Sequence, residues 1–398
     1  MDYLKYGVGI DIGMDAFDAA VSSIDTFQHV SVKASRHFPN TERGFSMFYD
    51  WVHKHCTIQV PIVYLMEASG VYYEQLAWYL HHKNCLVTVV LPNKAKKYKE
   101  SLGLKSKNDH IDALGLSRMA CEQQHREWKP MSNSIYVLRM LTRQLQAITE
   151  QLTATQNQLH ALQKGMFRDK EVEKLCRQTI RLLKQHLKTL RQRITQTIEA
   201  DEPLKRKVDN ICTIKGVGVQ TVAVIIAETN GFAAFENINQ LVSYSGYDVV
   251  ENTSGKHIGK TRISKKGNGH IRRSLHFPAL NVVTYEVAPF KQLFDRVYER
   301  TKIKMKGYTA VQRKLLAIIY VLWKKDEAFD PKYGNTTTST EAEVASSFVS
   351  APTEPVIEAA TPTPAADQQL TPKKVALTKV RATQDKHPSK HRRMSSFA

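Results

Sequence analysis

The stretch from Lys105 to Leu116, KSKNDHIDALGL, sets two carboxylates, Asp109 and Asp112, three residues apart, just ahead of an apolar-periodic run at Ile111, Leu114 and Leu116. On a helix, positions i and i+3 share a face, so both acids can address one spot. Two acids so placed repel each other unless a cation lies between them. Hard cations such as Mg²⁺ take oxygen ligands, with only one or two carboxylates from any one element. Lys105 and Lys107 stand beside the pair, as suits a phosphate-bearing substrate. A plainer account is an acidic helix start, where Asp caps and favours the N-terminal dipole.

Two further acids change the weight of that account. In GVGIDIG, Asp11 lies inside a short apolar run, and a carboxylate there is costly unless it meets a cation or a donor. Gly13 follows where the chain must bend and where a ligand could come close to the backbone. Read alone, Asp11 could equally cap a turn. Glu67 is the only charge in PIVYLMEASG, and it stands where strand gives way to helix. In open α/β sheets ligands gather at the carboxyl ends of strands. Asp11, Glu67, Asp109 and Asp112 thus offer oxygen donors from three separated elements, a set that suits two-metal phosphoryl transfer. None is specific singly; the set, in that order of strands and helices, is.

The elements that must position these acids follow from periodicity. Tyr6 to Ile24 reads as two strands with a turn, and Thr41 to His53 as a helix capped by Thr41. Then come the strand ending at Glu67, the amphipathic helix VYYEQLAWYLHHK, the buried strand CLVTVVLP, and a basic loop or short helix, NKAKKYKESLGLKSK, leading to the acidic pair. Strands alternating with helices predict an α/β domain with a central sheet over residues 1–128. Pro130 marks its boundary.

From Ile135 the apolar positions Leu138, Leu141, Leu145, Ile148 and Leu152 run at spacings of three and four, a coiled-coil seam. An interruption around Gly165 and a second seam through Leu183, Leu187, Leu190, Ile194 and Ile198 predict a long helical hairpin over 132–200, for packing or dimerisation. A mostly helical domain follows over 205–328. Its IKGVGVQTVAVIIAE resembles the turn of a helix-hairpin-helix element, where Lys215, Gly216 and Gly218 would let backbone N–H groups face a DNA phosphate; a tight turn between packed helices is the alternative. Tyr247 to Arg273 is loop-rich and cationic, with Lys256, Lys260, Arg262, Lys265, Lys266, Arg272 and Arg273 around Ser254-Gly255. A serine among such cations can be a nucleophile on phosphorus, because positive charge favours the alkoxide and the developing phosphorane. Most serines in basic loops merely bond phosphates or water. Residues 331–398 shift to Thr, Ser, Ala, Pro and Glu, too few large apolar residues for a core, and predict a disordered tail with a basic end that could serve as a nonspecific nucleic-acid arm.

The chain has 398 residues, enough for two or three domains, and 57 Lys+Arg against 38 Asp+Glu, a formal charge of +19. That excess points to a polyanionic partner, nucleic acid first. Cys56, Cys85, Cys121, Cys176 and Cys212 are scattered without C-x-x-C spacing, which reads as reduced thiols of a cytosolic protein. No leader or membrane-spanning run stands out, so a membrane partner is not expected.

GIDIG, YLMEASGVYYEQLAWYL, VTVVLPNKAKKY and KNDHIDAL resemble the N-terminal domain of the DEDD-type insertion-sequence transposases, to which the Piv-type DNA invertases are similar. IKGVGVQTVAVIIAE, QLVSYSG and TSGKHIGKTRISKKGNGHIRRSL resemble the same family's second domain, so the resemblance covers about residues 5–325. It implies a RuvC/RNase H-like first domain in which Asp11, Glu67, Asp109 and Asp112 bind Mg²⁺, two ions in all. It further implies a serine nucleophile, which falls on Ser254, joined with the acids in one composite centre and forming a covalent phosphoserine link to DNA. Element ends and target DNA, a homo-oligomer (dimer or tetramer), a bacterial cytoplasmic, nucleoid-associated location and, in one branch, a structured guide RNA are implied with it. A proline common in the family after the SYSG-like helix is absent, since YDVV stands there. Two rival functions remain: a structure-selective, Holliday-junction type Mg²⁺-dependent nuclease, which needs the acids but no serine, and a non-catalytic nucleic-acid binder in which the acids are caps.

Overall fold

The computed structural model describes residues 2–103, 108–250, 253–254, 257–258 and 262–331. Lys105, Lys107, Lys256, Lys260 and nearly all of the expected disordered tail lie outside these residues. Residues 1–335 form one compact unit.

Its N-terminal part is a five-stranded sheet. β1 (Tyr3–Ile12), β2 (Ala16–Asp25) and β3 (Val30–Pro39) form an antiparallel meander; β3 is mostly exposed and left no strong pattern in the sequence. α1 (Glu42–His55) starts at Thr41, whose hydroxyl accepts from Gly44 N, and buries Phe45, Phe48, Trp51 and Val52 at helical spacing. β4 (Ile62–Glu67) runs parallel to β1; after α2 (Glu74–His82), β5 (Leu86–Val90) runs parallel to β4. The strand order is 3-2-1-4-5. α3 (Pro92–Ser101) and α4 (Asp109–Glu122) follow. The basic segment ahead of the acidic pair is therefore helical over Pro92–Ser101.

The two-residue period of a strand sorts β1 between two cores. Tyr6, Val8, Ile10 and Ile12 pack with α1 and α2, among Phe17, Phe38, Phe48, Tyr64 and Leu76. Gly7, Gly9 and Asp11 therefore face the other way, toward the layer where Val63 and Leu65 of β4 pack with Ala95, Leu116, Met119 and Ala120. A Cβ at Gly9 would collide with the backbone of Ala113, Leu116 and Ser117, and one at Gly7 with Ser117 and Cys121. Only glycine lets α4 lie this close to β1, and the contact is closed by Ser22 Oγ to Ser117 Oγ at 2.8 Å.

The predicted hairpin is α5 (Asn133–Lys164) and α6 (Lys170–Glu199), capped by Ser132 and Asp169. α7 (Glu202–Cys212), α8 (Val219–Thr229) and α9 (Ile238–Tyr244) come next. The basic segment is not simply a loop: β6 (Val249–Val250) pairs with β9 (Arg262–Ile263), and β7 (Thr253–Ser254) with β8 (His257–Ile258), all antiparallel. α10 (Gly269–Ser274), α11 (His276–Thr284), α12 (Ala288–Thr301) and α13 (Lys304–Lys325) complete the described chain. Leu138, Leu145, Ile148, Leu187, Ile194 and Ile198 of the hairpin are buried in one core with Val208, Ile226, Leu241, Leu275, Leu315 and Trp323. At its far end Met166, Phe167, Val172 and Leu175 are exposed. No helix among the described residues is long and apolar enough to cross a membrane.

Candidate active site

The face of the sheet that carries Gly7 and Gly9 carries the acids too. Asp11 follows them at the strand period near the end of β1, and Glu67 follows Val63 and Leu65 at the end of β4. α4 covers that face and starts there. Asn108 caps it, its side chain accepting from Ile111 N, and Asp109 and Asp112 occupy the first turn. Neither acid is the cap, but a place in the first turn by the helix dipole is compatible with clustering, since the helix start is what brings them to the strand ends.

Electrostatic influence links Asp11 to the other three acids. Burial pushes the Asp11 carboxyl up to about 6; the charge of Asp112 adds to this, the Lys99 ammonium opposes it, and Asp109 and Glu67 add further. The other three predicted acids therefore each act on Asp11. The cation among them is Lys99 of α3, whose Nζ lies 3.0 Å from Asp112 Oδ1 and 3.6 Å from Glu67 Oε2. Its side chain is 15% exposed, against 20% for Glu67 and 13% for Asp112. Among the described residues no three His, Cys, Asp or Glu side chains stand at metal-ligand spacing.

A hard divalent cation nonetheless fits the donor set. All four donors are carboxylates, they come from two strand ends and the helix start that covers them, and Asp11 is partly buried against more negative than positive charge. The mouth is braced by Ser69, whose hydroxyl donates to Ile12 O at 3.2 Å, and by the Asn40 amide, which donates to Gly13 O at 3.0 Å and Tyr72 O at 3.3 Å. Asp18, opposite Asp11 in the β1–β2 register, is engaged by His37 Nδ1 at 3.0 Å. Lys99 was not singled out in the sequence, where it is one lysine among several. Its signal is its phase: four residues after Ala95, it shares the face that α3 turns to the sheet.

The remaining predicted residues lie in the helical part. Ser254 sits in β7, its backbone paired with His257. Arg262 lies in β9 and is exposed, as are Lys265 and Lys266. Arg272 is engaged by backbone, donating to Ser245 O at 2.8 Å, and Arg273 pairs with Glu150 of α5. Lys215 lies over the Tyr285 ring at 5.0 Å. Gly216, at φ 104°, packs against Asn281 and Val282, where a Cβ would lie 2.9 Å from Asn281 Cβ. Gly218 begins α8 with no side-chain cap, and with Arg191, Gln192, Thr195, Gln196 and Phe277 it lines a cleft of about 730 Å³. An uncapped helix start beside an arginine suits an anion such as a phosphate.

Two family models match the chain: a DEDD-type transposase model over residues 8–168, and the transposase IS116/IS110/IS902 family over 208–295. The pilin gene-inverting proteins of Moraxella bovis and Moraxella lacunata are each 28% identical over 336 residues, covering 82% of this chain and 98% of the relative. Among solved structures, Thermus thermophilus RuvC is similar at a TM-score of 0.23 and 13% identity, over 28% of this chain and 90% of that one.

Proposed function

The chain belongs to the IS116/IS110/IS902 transposase family and is a DNA transposase or recombinase, and we propose that it cuts and rejoins mobile-element DNA by phosphoryl transfer at the Asp11, Glu67, Asp109 and Asp112 cluster. The observation that carries this reading is the Lys99 ammonium standing between Glu67 of β4 and Asp112 of α4, at 3.6 and 3.0 Å, beside an Asp11 carboxyl raised by burial and by the other three acids. The meander of β1 to β3 with β4 and β5 parallel to β1, in the order 3-2-1-4-5, supports an RNase H-like assignment for residues 1–128.

In this reading the four acids hold Mg²⁺, two ions, which would neutralise the scissile phosphate and activate the attacking oxygen. Ser254 supplies that oxygen. Its Oγ–P bond forms as the bond from phosphorus to a bridging sugar oxygen breaks; the serine proton departs, and the released sugar oxygen takes up a proton. A hydroxyl of the partner DNA end then attacks the phosphoserine, reversing the exchange and freeing the serine. Arg262, Lys265 and Lys266, exposed along the same segment, balance the phosphate charge, as Lys256 and Lys260 would. The Gly216–Gly218 turn takes backbone phosphates. Exchange between DNA ends needs more than one active site, and the exposed Met166, Phe167, Val172 and Leu175 support a contact between protomers at the hairpin tip. A structured guide RNA is carried by the family resemblance alone, and sequencing the nucleic acid that co-purifies with the protein tests it.

The test of the whole reading is recombination between matching ends on plasmids. Asp11→Ala, Asp109→Ala and Ser254→Ala should each abolish it while leaving expression and DNA binding in place. Undiminished recombination by Ser254→Ala removes that residue from the mechanism. The same result for both acid variants removes the acid cluster.

A further inference from the structure

We infer that Lys99 is the resident counter-ion of the acid cluster: a positioning residue that holds Glu67 and Asp112 together before a divalent cation binds, and that the cation must displace. The inference rests on the metal reading proposed above and assigns a role that the reading does not contain.

Its ground is geometric. Nζ of Lys99 is 3.0 Å from Asp112 Oδ1 and 3.6 Å from Glu67 Oε2, so one ammonium bridges acids from a strand end and a helix start. Neighbouring lysines do nothing of the kind: Lys96 pairs with Glu100 on the surface at 3.8 Å, and Lys97 is exposed. The reach of Lys99 is set by the packing of α3. Ala95 is fully buried under the sheet, and Tyr98 packs on the same core while its hydroxyl donates to Glu122 Oε2 of α4 at 2.6 Å. Lys99 is thus carried toward the acids by a helix pinned to the element that bears Asp112.

The choice of lysine suits displacement. Its charge is a compact point on a flexible four-carbon stem, unlike the planar fork of arginine, so it can leave one oxygen for another without moving the helix. A divalent ion seated on Glu67 and Asp112 would need the oxygens that now face Nζ. Two cations on one carboxylate oxygen repel strongly at such separations, so ammonium and metal exclude each other. Without the ammonium, Glu67 and Asp112 would face Asp11 uncompensated, and the cluster would spread until metal arrived.

The experiment uses the full chain with Lys99→Met and Lys99→Arg, thermal melts in EDTA and in saturating Mn²⁺, and calorimetric titration with Mn²⁺. Lys99→Met should melt several degrees below wild type in EDTA and regain the difference in Mn²⁺, because the ion replaces the lost charge. Its Mn²⁺ midpoint should fall at least about threefold, since no ammonium competes. Lys99→Arg should keep the wild-type melting temperature in EDTA. If Lys99→Met does not fold, Lys99→Gln repeats the test with a polar head group. Equal Mn²⁺ midpoints in wild type and the uncharged variant overturn the inference alone, as does a melting deficit that Mn²⁺ leaves unchanged. No Mn²⁺ binding by either protein overturns the metal reading and this inference together.

Discussion

Arg143 of α5 grips Glu228 of α8 with both arms of its guanidinium, Nε at 2.8 Å and Nη2 at 3.0 Å, and the Glu228 side chain is 1% exposed. The same carboxylate accepts from Asn268 Nδ2 at 2.7 Å, and Asn268 caps α10 directly after the serine-bearing segment. Burial pushes the Glu228 carboxyl up, but the bonds from Arg143 and Asn268 outweigh it, and the net shift is downward. The hairpin base, α8 and the end of the basic segment are therefore fastened at one anion. The two halves of the pair are unequal. Arg143→Ala strands a buried carboxylate and should cost about 3–5 kcal/mol. Glu228→Gln leaves Arg143, whose side chain is 42% exposed, free to turn to water, and should cost about 1–3 kcal/mol. A lowered folded value means that this stability is full above the ordinary carboxylate range and lost as pH falls through the folded value. Denaturant melts of both variants at pH 7 and pH 4 measure it; equal losses for the two would show that the pair is not held as described.

Asp11 titrates in the opposite sense. Burial, then Asp112, holds its carboxyl at about 6 rather than the usual 3.8. Its ionised form is disfavoured by folding, so the cost is absent below about pH 4, grows through the interval and is complete above about pH 6, where solvent screening of the partly exposed group keeps it below about 3 kcal/mol. Asp11→Asn in EDTA should therefore be more stable than wild type at pH 8, with the gap closing by pH 4. Chemical denaturation across that range is the measurement. A gap that does not change with pH would mean that Asp11 is not held among like charges.

The candidate acids stand out in the sequence because each breaks a pattern. Asp11 and Glu67 are single charges in apolar strands, where an unpaired carboxylate is expensive, and Asp109 and Asp112 share a helix start. The period of two then put Asp11 and Glu67 on one face. Lys99 was not legible, because Lys94, Lys96, Lys97 and Lys99 are alike in composition, and only the burial of Ala95 and Tyr98 tells which of them faces inward. The sequence marks Gly13 but not Gly7 or Gly9, since close helix approach leaves no mark on a sequence until the partner helix is known. The ladders at Val249–Val250 and Thr253–Ser254 are two residues long, too short for alternation to register.

Gly9 gives a direct test of how α4 delivers its acids. A Cβ there meets backbone of Ala113, Leu116 and Ser117, and backbone cannot swing aside as a flexible side chain can. Gly9→Ala must push α4 off β1 and carry Asp109 and Asp112 away from Asp11. It should cost about 1–3 kcal/mol by overpacking and reduce recombination well beyond what lost stability explains. Gly13→Ala is the control. A Cβ at Gly13 would meet only Ala16 O, at 3.1 Å, so a small shift suffices and recombination should change little. Equal effects of the two would separate the glycine from the site.

The cations of the second half should divide by what already holds them. Arg262, Lys265 and Lys266 are exposed, whereas Arg272 serves Ser245 O at 2.8 Å. Replacing any of the first three by Ala should weaken DNA binding and reduce the slope of log affinity against log salt by about 1 each, with little change in melting temperature. Arg272→Ala should instead lower the melting temperature. Fluorescence anisotropy at several salt concentrations, alongside melts, distinguishes them. A salt slope unchanged by all three exposed substitutions would remove this segment from the DNA interface.

Ser254 decides between recombinase and hydrolytic nuclease chemistry. With serine as nucleophile, cleavage leaves the protein covalently on DNA, an adduct that survives denaturation; with water it leaves none. Wild type on a suicide substrate should give a labelled band retained in detergent, and Ser254→Ala should give none while still binding DNA. A second measurement asks whose serine serves whose acids. Co-expressed Asp11→Ala and Ser254→Ala chains should form the covalent adduct, which neither forms alone, if one protomer's serine works with another's acids, because one site in the mixed assembly is then intact. Failure of the mixture, with each variant still folded and binding DNA, would confine serine and acids to the same chain. An adduct formed by Ser254→Ala itself would require a different nucleophile, and the role assigned to this serine would fall.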